Sequence, residues 1–325
     1  MKAVVVSKFG GPEVLQFVDV NTPTIAENEV LIRVEATSVN FADIKARNGN
    51  KGKKVPFIPG LDATGIVDEV GAAVTNVKEG DRVIAFPKNG SYAQYAVASD
   101  LLTFPIPQEI STEVAAASPT VSFLSFKLLK DIARMEEGET ILIHAAAGGV
   151  GTTAIQMAKL FGAKQVIGTV GSEGKKVIAK EAGADHAINY REENFAEKVN
   201  ELTGGQGVDI VLDSIAGKVT EKSLECLAPY GRLVHFGNAS GEVGNIQTKD
   251  LHSSCRFILG YSFGTTRSKR PHQVKPIADQ VIPLLAEKKI DIKIGKSFRL
   301  QEAAEAQKWV EERHSTGKVI MTVEQ

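Results

Sequence analysis

The sequence predicts an α/β protein of two domains, one built on a doubly wound parallel sheet and the other mostly β. Three observations carry this. Short strands broken by Gly and Pro fill the first hundred residues, strands alternate with helices from Ile141 to Tyr261, and an apolar strand at 141–143 runs through glycines into an amphipathic helix. At 325 residues the chain exceeds what one hydrophobic core usually covers, so two domains are the default.

Taken in order, the pattern predicts strands at 2–6, 15–20, 30–36, 63–70, 82–86 and 92–97, with one short helix at 41–48 ended by Gly49. From Ser111 a hydroxyl cap precedes helix formers, and a second helix is expected over 122–135. Strands at 141–144, 165–170, 186–189, 209–213, 232–236 and 257–261 then alternate with helices, which requires a parallel sheet. After Gly264 a basic, proline-punctuated stretch at 265–271 precedes helices near 277–287 and 303–312 and a last strand at 319–323, which can rejoin the first domain. The expected partition is therefore 1–122 with 264–325 as one domain and 123–263 as the other.

Composition narrows the functional classes. The formal net charge of −1 argues against broad attraction to nucleic acid or to anionic membranes. No run of 18 apolar residues occurs, and the opening Met-Lys-Ala-Val-Val-Val-Ser-Lys is too short an apolar stretch for a signal peptide. A cytoplasmic location is expected, with Cys226 and Cys255 reduced.

The junction after the first parallel strand reads Ala146-Ala147-Gly148-Gly149-Val150-Gly151, with alanine in the first slot of the usual Gly-x-Gly-x-x-Gly. A phosphate sits against the amides of a helix N-terminus only where no Cβ intervenes, and Gly148, Gly149 and Gly151 clear that space, with Val150 expected to face the core. A second strand follows one helix later, completing the βαβ unit of a dinucleotide site. An Asp or Glu at the end of that strand would accept from a ribose 2′-hydroxyl, yet Val170 stands there, followed by Gly171, Ser172, Lys175 and Lys176. A hydroxyl and cations suit a 2′-phosphate, so NADP(H) is expected over NAD.

By the residues Val39-Asn40-Phe41-Ala42-Asp43, Gly60-Leu61-Asp62-Ala63-Thr64-Gly65, Gly80-Asp81-Arg82-Val83, His144 through Gly151, Ala184 through Tyr190 and Thr316-Gly317-Lys318, the chain resembles the medium-chain dehydrogenase/reductase superfamily. Within it, the resemblance is to the zinc-free quinone oxidoreductases related to zeta-crystallin, over nearly the whole chain. It implies a Rossmann domain and a GroES-like catalytic domain. Asn40 stands where zinc-dependent relatives place a cysteine ligand, and Leu61-Asp62 stand where they carry His-Glu.

The resemblance places Asn40 beside the nicotinamide ribose as a positioning residue and Gly149 to Gly151 under the diphosphate. Gly171, Ser172, Lys175 and Tyr190 would surround the adenosine phosphate. Phe236, Gly237 and Asn238, with Ser262 and Phe263, would flank the nicotinamide half, and Lys318 joins the cofactor-binding set. No proton donor is named. His144 reads as a packing residue beneath the glycine loop, Asp62 as a carboxylate holding a turn, and Asp43 as a group that orients Asn40 or relays a proton or, equally, as a helix cap or salt-bridge partner.

Without a Lewis acid, reduction of an activated acceptor fits better than alcohol oxidation. The expected activity is zinc-independent, NADPH-dependent reduction of quinones or other activated carbonyls in an inter-domain cleft. Lys45, where related quinone reductases often carry a tyrosine, and Ser122-Phe123-Leu124 in place of Gly-Leu-Thr argue against a quinone preference, and the missing tyrosine argues against an enoyl thioester reductase as well; an alkenal or enoyl double-bond reductase is the alternative within the class. A cofactor-binding structural or RNA-binding protein is the alternative from another class. The segment 256–261 reads as an edge strand that in relatives pairs across a two-fold axis, which predicts a homodimer.

Overall fold

The computed structural model describes residues 1–50 and 52–325. Strands β1 (Lys2–Val6), β2 (Leu15–Asp19) and β3 (Glu29–Val39) precede helix α1 (Phe41–Arg47), and β4 (Ala63–Val70), β5 (Arg82–Ala85), β6 (Tyr95–Ser99) and β7 (Thr103–Pro105) follow. Helix α2 (Thr112–Phe126) leads to β8 (Thr140–Ile143), α3 (Gly149–Leu160), β9 (Gln165–Val170), α4 (Glu173–Glu181), β10 (His186–Asn189) and α5 (Phe195–Leu202). Then come β11 (Val208–Asp213), α6 (Lys218–Ser223), β12 (Leu227–His235), α7 (Lys249–His252) and β13 (Phe257–Gly260). The chain closes with α8 (Phe263–Lys269), α9 (Lys275–Ala286), β14 (Ile294–Arg299), α10 (Ala303–Glu311) and β15 (Lys318–Thr322). It divides into two compact units, Met1–Phe123 with Thr266–Gln325, and Leu124–Thr265.

The second unit is the expected doubly wound sheet. Its six strands run β10-β9-β8-β11-β12-β13, all in parallel pairs, which in order of appearance is the 3-2-1-4-5-6 arrangement of dinucleotide folds. The strands are near-continuous apolar runs because helices cover both faces. Leu142, Ile167, Val211 and Leu233 pack there with Phe195 and Val199 of α5. The winding reverses between β8 and β11, the kind of switch point beside which open α/β sheets bind ligands at the carboxyl ends of their strands.

In the first unit β14, β15, β3, β4, β5 and β7 form a sheet in that order, β6 pairs with β3, and β1 and β2 make a separate antiparallel pair. The last strand pairs antiparallel with β3, matching Ile320 to Ser38 and Val319 to Val39.

Four local expectations are corrected. Strand β3 runs to Val39 rather than ending at 36, because Thr37 and Ser38 are buried with their hydroxyls satisfied by Asp62 and need no apolar side chain to stay in the strand. Strand β6 begins at Tyr95 rather than 92, since Ala93 makes only an isolated bridge to Ala3. The helix expected over 122–135 is one continuous helix from Thr112 to Phe126, followed by a wide π-type turn from Lys127 to Ile132. Pro119 should break such a helix. The carbonyl of Ala115, deprived of its amide donor, instead accepts from the Ser118 hydroxyl at 3.5 Å. Strand β14 was not foreseen because residues 295–297 are exposed and polar, leaving Phe298 as its one buried side chain.

Candidate functional site

Two groups of residues stand out, one in each unit. In the second unit the chain leaves β8 through His144 and turns at Ala145, whose φ of 53° is left-handed. The amide of Gly148 donates back to the Ala145 carbonyl at 2.9 Å, and Gly148 then caps α3 with extended backbone. A Cβ on Gly151 would stand 2.4 Å from that same carbonyl oxygen, so this glycine is dictated by the packing of helix against loop. The first amides of α3 have no intrahelical partner and face away from the loop as donors for an anion. Val150, expected in the core, is only half-buried. As the second residue of α3 it belongs to that first turn, and its carbonyl accepts from Ser125 at 3.3 Å.

The end of β9 supplies a second feature. Val170 is buried, and a Cβ on the next residue, Gly171, would meet the Tyr190 hydroxyl at 2.8 Å, so the missing side chain is what lets the tyrosine lie there. Tyr190 is held by its amide to Val170 O at 3.1 Å while its ring stays 38 % exposed. Ser172 occupies the N-cap of α4 without using its side chain as a cap, and Lys175 lies one turn on. Lys176 is spent otherwise, paired with Glu173 at 3.0 Å and Glu193 at 3.3 Å. That pairing also compensates the nearest carboxylate, so Ser172, Lys175 and Tyr190 form a patch fit for a phosphate rather than for a bare ribose.

The ends of the remaining strands are braced against each other. Asp213 closes β11 and is fully buried, accepting from the amides of Ile215 at 2.8 Å and Ala216 at 3.1 Å and from the Thr220 hydroxyl. The resulting turn holds Ala216 at φ 75° and Gly217 at φ 62°. Phe236 and Gly237 lie against it: the Phe236 amide donates to Asp213 O at 2.9 Å, and a Cβ on Gly237 would sit 2.9 Å from Ser214 O. Asn238 accepts from the Gly241 amide at 2.7 Å. Ser262 accepts from the Thr265 amide at 3.2 Å and so starts α8, and Phe263 is buried.

His144 lies beneath this edge with no access to it. Ser223 donates its hydroxyl proton to Val219 O, so it accepts from His144 Nε2–H at 2.9 Å, and Nδ1 in turn accepts from Thr169 at 2.8 Å. Burial holds the imidazole down at about 4, so it is neutral.

In the first unit Asn40 is the N-cap of α1. Its amide donates to Asp43 Oδ2 at 2.9 Å, completing a capping box. Its carboxamide is clamped from both sides: Nδ2 donates to Asp62 Oδ1 at 3.1 Å, and Oδ1 accepts from Lys318 Nζ at 2.8 Å. Lys318 also donates to Val39 O at 3.1 Å. The second oxygen of Asp62 takes the Thr120 amide at 3.1 Å, one residue past Pro119. Asp62 thus holds more than a turn, because it ties β3, α1 and α2 together. Tyr92 donates to Asp43 at 3.3 Å, and burial pushes the Asp43 carboxyl up to about 7. Burial also pulls the Lys318 ammonium below its usual value.

These residues do not fit zinc. The three positions that correspond to Cys, His and Glu hold a neutral carboxamide, the apolar Leu61 and a carboxylate whose oxygens already accept from Ser38, Asn40 and Thr120, and the Lys318 ammonium places a positive charge at the same spot. Among the described residues no group of three or more His, Cys, Asp or Glu side chains is placed to hold a metal ion.

Sequence reasoning missed the second layer behind Asn40. Arg47 is wholly buried, donating to Gln307 at 2.8 Å and Gly10 O at 3.0 Å and paired with Glu311 at 2.7 Å. Gln307 and Glu311 lie 260 and 264 positions from Arg47 in the sequence, and no local pattern announces them.

Comparison with known proteins gives consistent relationships. Residues 149–281 match the zinc-binding dehydrogenase family and residues 26–108 the alcohol dehydrogenase GroES-like domain. A quinone oxidoreductase of Pseudomonas aeruginosa is 36 % identical, covering 98 % of this chain and 99 % of its own. Quinone oxidoreductase 1 of Escherichia coli is 37 % identical over 97 % of each chain. The crystal structure of Escherichia coli quinone oxidoreductase complexed with NADPH superposes with a TM-score of 0.91 at 34 % identity, covering 99 % of this chain and 100 % of that one.

Proposed function

The chain belongs to the medium-chain dehydrogenase/reductase superfamily and, within it, to the quinone oxidoreductases, and on that premise we propose that it reduces quinones or related activated carbonyls with NADPH, without zinc. The observation that carries the cofactor reading is the end of β9, where Gly171, Ser172, Lys175 and Tyr190 lie and the neighbouring Glu173 and Glu193 are paired with Lys176. NADPH, when bound, supplies the hydride that a conjugated acceptor takes up.

In this reading the segment 123–263 binds the dinucleotide, while 1–122 and 264–325 form the catalytic, substrate-binding portion. Gly148, Gly149, Val150 and Gly151 receive the diphosphate on the helix N-terminus, Ser172 and Lys175 meet the 2′-phosphate, and the Tyr190 ring lies against the adenosine. Phe236, Gly237, Asn238, Ser262 and Phe263 border the nicotinamide half, and Asn40 orients its ribose. The protein acts in the cytoplasm as a homodimer. Among the described residues no helix is long and apolar enough to cross a membrane.

The test is oxidation of NADPH and of NADH, in the presence of a chelator, against benzoquinone, phenanthrenequinone, an alkenal, an enoyl thioester and an aldehyde. Quinone-dependent loss of NADPH is expected. Reduction of the enal or thioester alone would move the assignment to a double-bond reductase, and a preference for NADH would overturn the reading of Ser172 and Lys175.

A further inference from the structure

We propose that Lys318 and Asp62 are positioning residues that act through Asn40, locking its carboxamide in one orientation so that its remaining lone pair and N–H meet the bound cofactor in fixed directions. The inference deepens the cofactor reading above and rests on it.

The orientation follows from donor and acceptor chemistry alone. An ammonium can only donate, so the atom 2.8 Å from Lys318 Nζ must be the carboxamide oxygen. Both Asp62 oxygens act as acceptors, from the Ser38 hydroxyl at 2.7 Å and the Thr120 amide at 3.1 Å, so the atom 3.1 Å from Oδ1 must be the NH2 group. The reverse flip would set donor against donor and acceptor against acceptor. Backbone rotation is blocked as well, because the Asn40 amide donates to Asp43 at 2.9 Å and its carbonyl accepts from the Asp43 amide at 2.9 Å.

Each clamp is itself fixed. Lys318 has a second anchor in Val39 O at 3.1 Å, and its backbone amide donates to Lys293 O at 2.7 Å. Asp62 is held by the Ser38 hydroxyl at 2.7 Å and the Thr120 amide at 3.1 Å. A cap needs only the Asn40 main chain and one carboxylate. A buried ammonium on the carboxamide oxygen is beyond what capping requires, and buried charges are expensive to keep. The oxygen keeps a second lone pair outside the clamp, and the nitrogen keeps a second hydrogen, because its longer contact with Ser38 Oγ at 3.5 Å lies on the same side as Asp62 Oδ1, which is itself 2.7 Å from that hydroxyl.

A double-mutant cycle tests this, with the NADPH dissociation constant read by fluorescence titration and the unfolding temperature followed alongside. Lys318→Met in the otherwise native chain should weaken NADPH binding by about tenfold, the scale of one lost hydrogen bond to a charged group. Combined with Asn40→Ala, the same change should alter binding less than about twofold, because the group it orients is gone. Lys318→Gln, which keeps a donor and removes the charge, should recover most of the affinity; if Lys318→Met does not fold, Asp62→Ala takes its place in the cycle, with the same loss of about tenfold expected in the native chain and less than about twofold beside Asn40→Ala.

An equal loss in both backgrounds, or an unfolding temperature lowered with affinity unchanged, would overturn the proposal and leave Lys318 a structural residue. A native chain that binds NADPH but reduces no acceptor would overturn the proposed reaction and leave the cycle decisive for Asn40. A native chain that binds no NADPH would overturn both.

Discussion

Two buried titratable side chains set opposing pH dependences. His144 is pulled from 6.5 down to about 4 by burial, so between those values the unfolded chain binds more protons than the folded one, and acidification through the window costs on the order of 3 kcal/mol. Asp43 is raised from 3.8 to about 7 by burial, with Asp62 adding repulsion and the Asn40 amide, Lys318 and Tyr92 opposing it. There the folded chain binds more protons, so its contribution is largest in acid and is lost as pH rises from about 4 to about 7. The two slopes offset each other across most of the same range. Asp43→Asn should therefore uncover the histidine, giving a steeper loss of stability than the native chain between pH 6.5 and 4 in urea titrations. Parallel curves for the two proteins would refute this. At this scale the sequence marked Asn40, Asp43 and Asp62 as residues of interest but could not join them to Lys318, which is 278 positions from Asn40. Only the antiparallel pairing of β15 with β3 brings it there.

Among the elements, the strand–glycine–helix junction was the most legible, because its apolar run and glycine spacing are local properties that backbone geometry requires. The same logic separates two glycines that look alike in sequence. Gly151→Ala would drive a methyl to 2.4 Å from the Ala145 carbonyl, whereas Gly174, in the first turn of α4, has nothing within 4 Å of its added Cβ. The first substitution should destabilise the second unit by more than about 2 kcal/mol and abolish NADPH binding, and the second should be neutral or stabilise by up to about 1 kcal/mol. Thermal unfolding with and without NADPH distinguishes them, and equal effects would refute the reading. Helix α2 and strand β14 were illegible for the opposite reason. Pro119 ordinarily ends a helix, and only the Ser118 hydroxyl and the distant Asp62 carboxylate satisfy the groups it disturbs. Strand β14 is specified by its partner β15 rather than by its own alternation.

At the level of the whole molecule, β13 ends the six-stranded sheet with one side unpaired among the described residues, and Phe257 on it is 44 % exposed. Edges of this kind invite a second copy. Sedimentation equilibrium at micromolar concentration should return twice the chain mass, and Phe257→Glu should raise the dimer dissociation constant by at least about tenfold, the effect of one lost apolar anchor. A native chain sedimenting as a single copy would sink the prediction. The division into Leu124–Thr265 and a unit made of two separated stretches also carries a temporal consequence. During synthesis the dinucleotide-type sheet has all its strands once residue 260 has emerged, and domains generally fold as units in order of emergence. The other unit waits for β15, and with it Lys318, so the grip on Asn40 is the last part of the molecule to be assembled. A ribosome that stops short of residue 318 releases a chain able to build the parallel sheet and unable to complete the amide clamp.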